Sequence, residues 1–95
     1  MSRREGNRLC LDGAVTLETT AGVLEEAVKE IRDGVEVVDF GRVSEVDSSA
    51  VALAMALVRE ARSAGRTIAF ANLPAAMQNL AALYAVAELI PLAQR

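Results

Sequence analysis

The sequence comprises 95 residues, of which 53% are apolar and 24% are charged, with a formal net charge of -3. This length predicts one small domain covering residues 1–95, and the acidic balance, without clustered Lys and Arg, argues against a nucleic-acid binder. The longest unbroken apolar run, residues 50–58, is too short to cross a bilayer, and no signal peptide pattern opens the chain, so we expect a cytoplasmic protein without direct membrane insertion.

The first half of the chain predicts a strand, a helix and a second strand. We expect residues 1–6 to form a frayed N-terminus. Residues 7–13 alternate apolar and polar side chains, as is typical of a half-exposed strand. Apolar residues then recur at helical spacing over residues 23–31, and Gly34 is a C-terminal stop signal. The β-branched segment at residues 35–40 predicts a more buried strand.

The second half continues the alternation of helix and strand. A second helix is predicted from Ser48 to Gly65, followed by a strand over residues 67–71. The last helix is predicted to begin around residues 72–74 and to end before Pro91. Its core-facing stripe is predicted to contain Met77, Leu80 and Tyr84. Elements alternating in this way predict a small α/β sheet covered by helices.

The composition also argues against catalysis. The chain has no histidine, which removes the most common general base, the most common zinc ligand and any Ser-His-Asp triad. Lys29 is the only lysine, and no glycine-rich phosphate-binding loop is present. Cys10 is the only cysteine, so an internal disulfide is impossible, and we expect a buried or half-buried strand residue. We therefore expect a protein that is not an enzyme and that holds no cofactor and no metal.

Polar residues lead directly into the second helix. Asp47, Ser48 and Ser49 precede a continuous apolar run. Asp and Ser are preferred N-cap residues because their oxygens accept hydrogen bonds from the free amides of the first helical turn. The Asp-Ser-Ser sequence is therefore predicted to cap this helix, whether or not it has a further role.

The second helix has an unusual outer face. Its core-facing residues are predicted to be Leu53, Ala54, Leu57, Val58 and Ala61. The polar side of the helix, between Ser48 and Arg59, instead contains Ala52, Met55 and Ala56. Small side chains beside a flexible Met favour close approach by a partner. Alanine is also simply a good helix former, so both interpretations stay open.

Two segments together resemble the STAS domain family, named for sulfate transporters and anti-sigma factor antagonists. They are VVDFGRV at residues 37–43 and EVDSSAVAL at residues 45–53, and the resemblance extends over nearly the whole chain. It implies an α/β domain with a mixed sheet of about four strands covered by about four helices. Asp47 to Ala50 match the family's partner-contacting loop, with Ala50 in place of the usual glycine, and Asp39 matches the acid that closes the preceding strand.

Within that family the C-terminal stretch, FANLPAAMQNLAALYAVAELI, is similar to that of MlaB-type subunits of bacterial ABC transporters. The resemblance implies a cytoplasmic subunit that binds and supports the transporter's ATPase subunit. Such a subunit lies at the inner membrane through its partner and serves intermembrane phospholipid transport, which maintains outer-membrane lipid asymmetry. Ser48 matches a threonine in that contact. The predicted partner-binding residues are Asp47, Ser48, Ser49, Ala52, Met55 and Arg59.

An anti-sigma factor antagonist is the alternative that this resemblance implies. In such proteins the residue matching Ser49 is phosphorylated by a kinase that is also the binding partner. The sequence has serine at both positions 48 and 49, so either residue provides a hydroxyl group at this helix start.

Overall fold

A computed structural model describes residues 2–93 of the chain. The strands are β1 (Ser2–Glu5), β2 (Arg8–Val15), β3 (Val37–Val46) and β4 (Ala69–Ala71). The helices are α1 (Thr20–Arg32), α2 (Ser48–Ser63) and α3 (Ala75–Leu83), followed by a 3-10 helix at Ala87–Leu89. The predicted fold class, an α/β domain with a mixed four-stranded sheet, is confirmed. The expected four helices are three α-helices and this 3-10 helix.

The order of the strands places the long helices on one face of the sheet. The sheet has the order β1-β2-β3-β4, with β1 antiparallel to β2 and the remaining neighbours parallel. The two parallel crossovers contain α1 and α2 and proceed in the same direction across the sheet. Because such crossovers are right-handed, both helices cover the same face. An ion pair between Arg32 and Glu60, 3.3 Å long, joins the two helices.

The core lies between this sheet face and the helices. Leu9 and Leu11 of β2 alternate with half-buried residues, as the sequence pattern predicted. Phe40 and Phe70, on β3 and β4, meet edge to face with ring centroids 6.2 Å apart. The predicted core residues of α2 are confirmed as buried; they are Leu53, Ala54, Leu57, Val58 and Ala61. Within residues 2–93, no helix is long and apolar enough to span a bilayer.

The prediction of a frayed N-terminus is wrong for residues 2–5, which form β1; Met1 lies outside the described residues. A two-residue loop joins β1 to β2, and its first residue, Gly6, has a φ of 63°, a conformation that glycine adopts without strain. Arg4 then holds the strand to α1 through ion pairs with Glu30 at 3.0 Å and Asp33 at 2.7 Å. The backbone ladder and these charges form an edge strand that contains no apolar residue.

The strands predicted at residues 35–40 and 67–71 differ in length from β3 and β4 of the structure. β3 continues to Val46, six residues beyond the predicted end, and β2 pairs with it as far as Val15. β4 is shorter than predicted; it pairs with residues 37–39 of β3, and on its other side Phe70 forms a single parallel bridge with Leu92. The second half of β3 therefore extends beyond β4 and carries the chain to the start of α2.

Two of the three residues of the last helix that were predicted to face the core do so in the structure. Met77 is fully buried and Leu80 is half-buried against the core. Tyr84 was predicted to face the core, but it is 50% exposed. Tyr84 is the C-cap residue of α3, and Ala85 follows with a φ of 58°, so the chain turns away before the helical stripe reaches this position.

A charged cluster links three neighbouring segments on the opposite side of the sheet from the core. The carboxylate of Asp39 accepts hydrogen bonds from Arg8 at 2.5 Å, the Gly41 amide at 2.7 Å and the Asn72 side chain at 3.0 Å. Asn72 has a φ of 56°, which asparagine tolerates better than most residues. Burial alone would raise the pKa of Asp39, but the bonds from Asn72, Gly41 and Arg8 together lower it. The cluster therefore holds β2, β3 and the turn after β4 together.

Substitutions in the buried and in the exposed side of α2 should change the free energy of unfolding by very different amounts. Leu57→Ala should lower the free energy of unfolding by about 2 to 5 kcal/mol, because Leu57 is fully buried and its truncation leaves a cavity. Ala52→Arg should change it by less than about 0.5 kcal/mol, because Ala52 is exposed. Urea unfolding of both variants measures the difference. A similar loss in both would contradict the orientation of α2.

The Asp39 cluster predicts a loss of stability in acid. The folded-state pKa of Asp39 is below its unfolded value of about 3.9, so its contribution is complete above that pH and is lost as pH falls through the folded-state pKa. Asp39→Asn should lower the unfolding free energy by about 1 to 3 kcal/mol near pH 7, because it removes a charged acceptor from three hydrogen bonds.

Urea midpoints measured from about pH 7 down to about pH 3 test this prediction. The difference between wild type and Asp39→Asn should shrink as the pH falls. Asp12→Asn, which alters an exposed carboxylate on the neighbouring strand, is the matched control. If the difference in urea midpoint between wild type and Asp39→Asn stayed constant over this pH range, the ionised carboxylate of Asp39 would not be the stabilising group.

Candidate functional site

The turns that follow β2 and β3 lie side by side at one end of the sheet. The two strands are parallel, and Val15 pairs with Val46 at their carboxyl ends. The loop into α1 and the first turn of α2 therefore begin at the same edge. In parallel sheets this is the edge at which binding residues commonly gather, because the loops there are held by a rigid framework.

Asp47 joins these two turns. One carboxylate oxygen accepts hydrogen bonds from the amide of Ser49, at 2.9 Å, and from the Ser49 hydroxyl. The other accepts a bond from the amide of Leu17, 3.0 Å away in the loop before α1. The predicted capping role of the Asp-Ser-Ser sequence is thereby confirmed, with Asp47 as the N-cap residue. The cap also fixes the neighbouring loop.

These bonds determine what the Asp47 carboxylate can do chemically. The hydroxyl of Ser49 and the amide of Leu17 lower the pKa of Asp47. A general base works best with a pKa near the working pH, so a carboxylate with a lowered pKa is poorly suited to activate the serine. Ser49 is half-buried and donates its proton to Asp47, whereas Ser48 is exposed. The arrangement is that of a stable helix start.

The outer surface of α2 continues from this cap. Ala52 is exposed, Met55 is half-buried against the core, and Arg59 is exposed. Within residues 2–93, Arg59 makes no ion pair with a carboxylate. The structure therefore places Ala52 and Arg59 fully on the solvent side and brings Met55 only partly to the surface. Ala50, at the position where the family has glycine, is fully buried inside the first turn of α2.

The sequence interpretation missed two exposed leucines near this surface. The side chain of Leu17 is 78% exposed, while its backbone amide donates the hydrogen bond to Asp47. Leu89, in the 3-10 helix, is 55% exposed and lies close to Met55. Leu17 could have been found as an apolar side chain surrounded by Thr and Glu in a turn. Nothing in the local pattern distinguishes Leu89 from a core residue.

The described part of the chain offers little to a metal ion. No group of three or more Cys, Asp or Glu side chains in residues 2–93 is placed to hold one, and the sequence has no histidine. From its cap to its last turn, the outer face of α2 presents hydroxyls, small apolar side chains, Met55 and arginines. Met and Arg are enriched at protein–protein interfaces, so this face is suited to contact with another protein.

Solved structures show where this fold occurs. SpoIIAA, an anti-sigma factor antagonist from Bacillus, has a similar fold in its unphosphorylated form, with a TM-score of 0.71, 16% identity and coverage of 100% of this chain and 88% of that one. The phosphorylated form of SpoIIAA matches with a TM-score of 0.66 and 17% identity, and the match covers 100% of this chain and 91% of that one. A candidate anti-sigma factor antagonist from Thermotoga maritima matches with a TM-score of 0.74 and 11% identity, and the match covers 100% of this chain and 86% of that one. At these identities the similarity establishes the fold.

Sequence comparison establishes the family. No curated protein sequence matches the chain significantly. The family model described as "Mlab, STAS domain" matches residues 2–91, which is nearly the whole chain. This match agrees with the α/β fold and with the capped helix start at Asp47. The chain belongs to the STAS domain family.

Proposed function

We propose that the chain is a non-catalytic STAS subunit that binds and supports the ATPase subunit of an ABC transporter for intermembrane phospholipid transport. The observation that carries this proposal is the surface at the start of α2, where exposed small and polar side chains surround a rigid cap. The MlaB label of the matching family model supports this class of partner. The protein would then lie in the cytoplasm, on the inner membrane through its partner.

The docking surface is defined by residues of the cap and of the outer face of α2. It consists of Asp47, Ser48, Ser49, Ala52, Met55 and Arg59, to which we add the exposed Leu17. Asp47 would act mainly by positioning, because its carboxylate oxygens already bind Ser49 and Leu17. Ser48 and Ala52 are exposed one turn apart and would make direct contact. Small side chains at these positions allow another backbone to approach closely.

The second candidate function is an anti-sigma factor antagonist that is phosphorylated at Ser49. The observation that favours it is the position of the Ser49 hydroxyl in the first turn of α2, where the helix dipole stabilises added negative charge. The same hydroxyl donates to Asp47, so a phosphate would replace that bond by repulsion between like charges. Phosphorylation there would alter the docking surface directly.

Affinity purification of the tagged full chain from native membranes distinguishes these functions. Recovery of the ATPase subunit of a phospholipid transporter, in similar amounts to the tagged chain, would support the first proposal. Recovery of a sigma-regulating kinase, with phosphate on Ser49, would support the second and overturn the first.

The docking surface predicts that Ala52→Arg weakens binding to the ATPase subunit by about 30-fold, which corresponds to ~2 kcal/mol. The large charged side chain would prevent close approach and would have to be desolvated without a partner. Ala64→Arg is the matched control, because Ala64 is also exposed but lies at the other end of α2. Calorimetric titration of each variant gives the affinities. Equal affinity for the two variants would show that docking takes place elsewhere.

Charge at Ser49 should weaken binding without unfolding the domain. Ser49→Asp places a carboxylate next to Asp47 in the first turn of α2, where the helix dipole offsets part of the repulsion. We expect a melting temperature within a few degrees of wild type and an affinity for the ATPase subunit at least about tenfold lower, or ~1.4 kcal/mol. Ser49→Asn, of similar shape but uncharged, should bind more tightly than Ser49→Asp. Identical affinities would exclude charge as the cause.

A further inference from the structure

A shallow groove runs between α2 and the 3-10 helix near the C-terminus. It has a volume of about 220 Å³ and is lined by Met55, Val58, Arg59, Arg62 and Leu89. The four residues from α2 lie at spacings of three and four, so they form one stripe along that helix. Leu89 forms the opposite wall and is 55% exposed. The groove thus has an apolar floor and a positively charged side.

Two arginines give this groove its positive charge. Arg59 and Arg62 are exposed, and within residues 2–93 neither pairs with a carboxylate. By contrast, Arg32 on α1 pairs with Glu60 of the same helix α2. The whole chain carries a net charge of -3, so this positive site lies on an acidic protein. An occupant that complements it must bring both apolar surface and negative charge.

We propose that the groove binds an amphipathic segment of the partner protein that carries acidic side chains. An apolar side chain of that segment fits between Met55 and Leu89, and its carboxylates pair with Arg59 and Arg62. The arginine guanidinium suits this role because it binds a carboxylate through two parallel hydrogen bonds. This inference rests on the proposed function, since Met55 and Arg59 also belong to the docking surface on α2.

The shape of the site favours a protein segment over a lipid surface. Membrane-binding surfaces project apolar side chains outward and add several basic residues to attract anionic headgroups. Here Met55 and Val58 line a groove and are partly or largely covered, with Val58 only 9% exposed. Two arginines on a net acidic chain provide little general attraction to anionic lipid. A recess with charges at its rim instead matches the grooves that hold amphipathic peptide segments.

Site-specific photo-crosslinking in living cells tests the proposal on the full chain. The photoreactive residue p-benzoylphenylalanine replaces Leu89, and in separate strains it replaces Ala52 or Leu83. Leu83 is 75% exposed and does not line the groove, so it reports background capture. After illumination, mass spectrometry identifies the cross-linked peptide. We expect position 89 to capture a segment of the ATPase subunit that contains apolar and acidic residues.

Charge reversal tests whether the arginines hold that segment. The double substitution Arg59→Glu and Arg62→Glu should lower the yield of the cross-link from position 89 at least about tenfold, because like charges would then face each other. Arg66→Glu alters an exposed arginine beyond the end of α2 and should leave the yield unchanged. Urea midpoints close to wild type for these variants ensure that the loss is not caused by unfolding.

The outcomes separate this inference from the function on which it rests. An acidic, apolar segment captured from a different protein would support the groove and overturn the proposed partner. Capture of the ATPase subunit from position 52 but not from position 89 would keep the partner and overturn the groove. Cross-links from position 89 to lipid, or to a second copy of the chain, would overturn the proposed occupant. A yield unaffected by the double charge reversal would also overturn it.

Discussion

The parallel pairing of β2 with β3 is the constraint on which the other elements depend. It extends from Arg8 paired with Val37 to Val15 paired with Val46, and it includes the fully buried side chains of Leu9 and Val38. A parallel pair needs a long crossover, which is why α1 lies between the two strands in the chain. The same pairing brings the ends of both strands to one edge. The end of the molecule at which we propose docking is therefore a consequence of sheet register.

The Asp47 carboxylate converts this proximity into a fixed arrangement. Hydrogen bonds to a charged acceptor are stronger than those between neutral groups, and here one carboxylate binds amides on both turns. A partner that docks as proposed would meet a surface that is already ordered, so less conformational entropy would be lost on binding. In the proposed function, the cap would contribute to folding and to recognition through the same atoms, so even a small domain could hold a binding surface in place.

Much of the fold could be predicted from the sequence, because burial imposes a period. The orientation of α2 followed from Leu53 and Leu57 recurring at helical spacing, and β2 followed from the alternation of Leu9 and Leu11. β1 has no such signal, since it is held by its backbone ladder and by the ion pairs of Arg4. The far end of β3 was missed because only one neighbouring strand pairs with it there, so its residues alternate less clearly.

The candidate site was predictable only in part. The cap at Asp47 has a short-range sequence signature, and the resemblance to the STAS family pointed to the same residues. The exposure of Leu17 and the position of Leu89 depend on how distant segments meet, which no local pattern encodes. Tyr84 shows the same limit, because its exposure follows from a helix that ends one residue earlier than its apolar stripe.

Because the helices cover only one face of the sheet, the single thiol of the chain lies on the other. Cys10 alternates with the buried Leu9 and Leu11, is itself half-buried, and has a pKa raised mainly by desolvation. A raised pKa leaves less thiolate at neutral pH, so this thiol should react more slowly with maleimide reagents than an unperturbed cysteine. A dye attached there would sit across the sheet from α2, where it could report on assembly without touching the proposed docking surface.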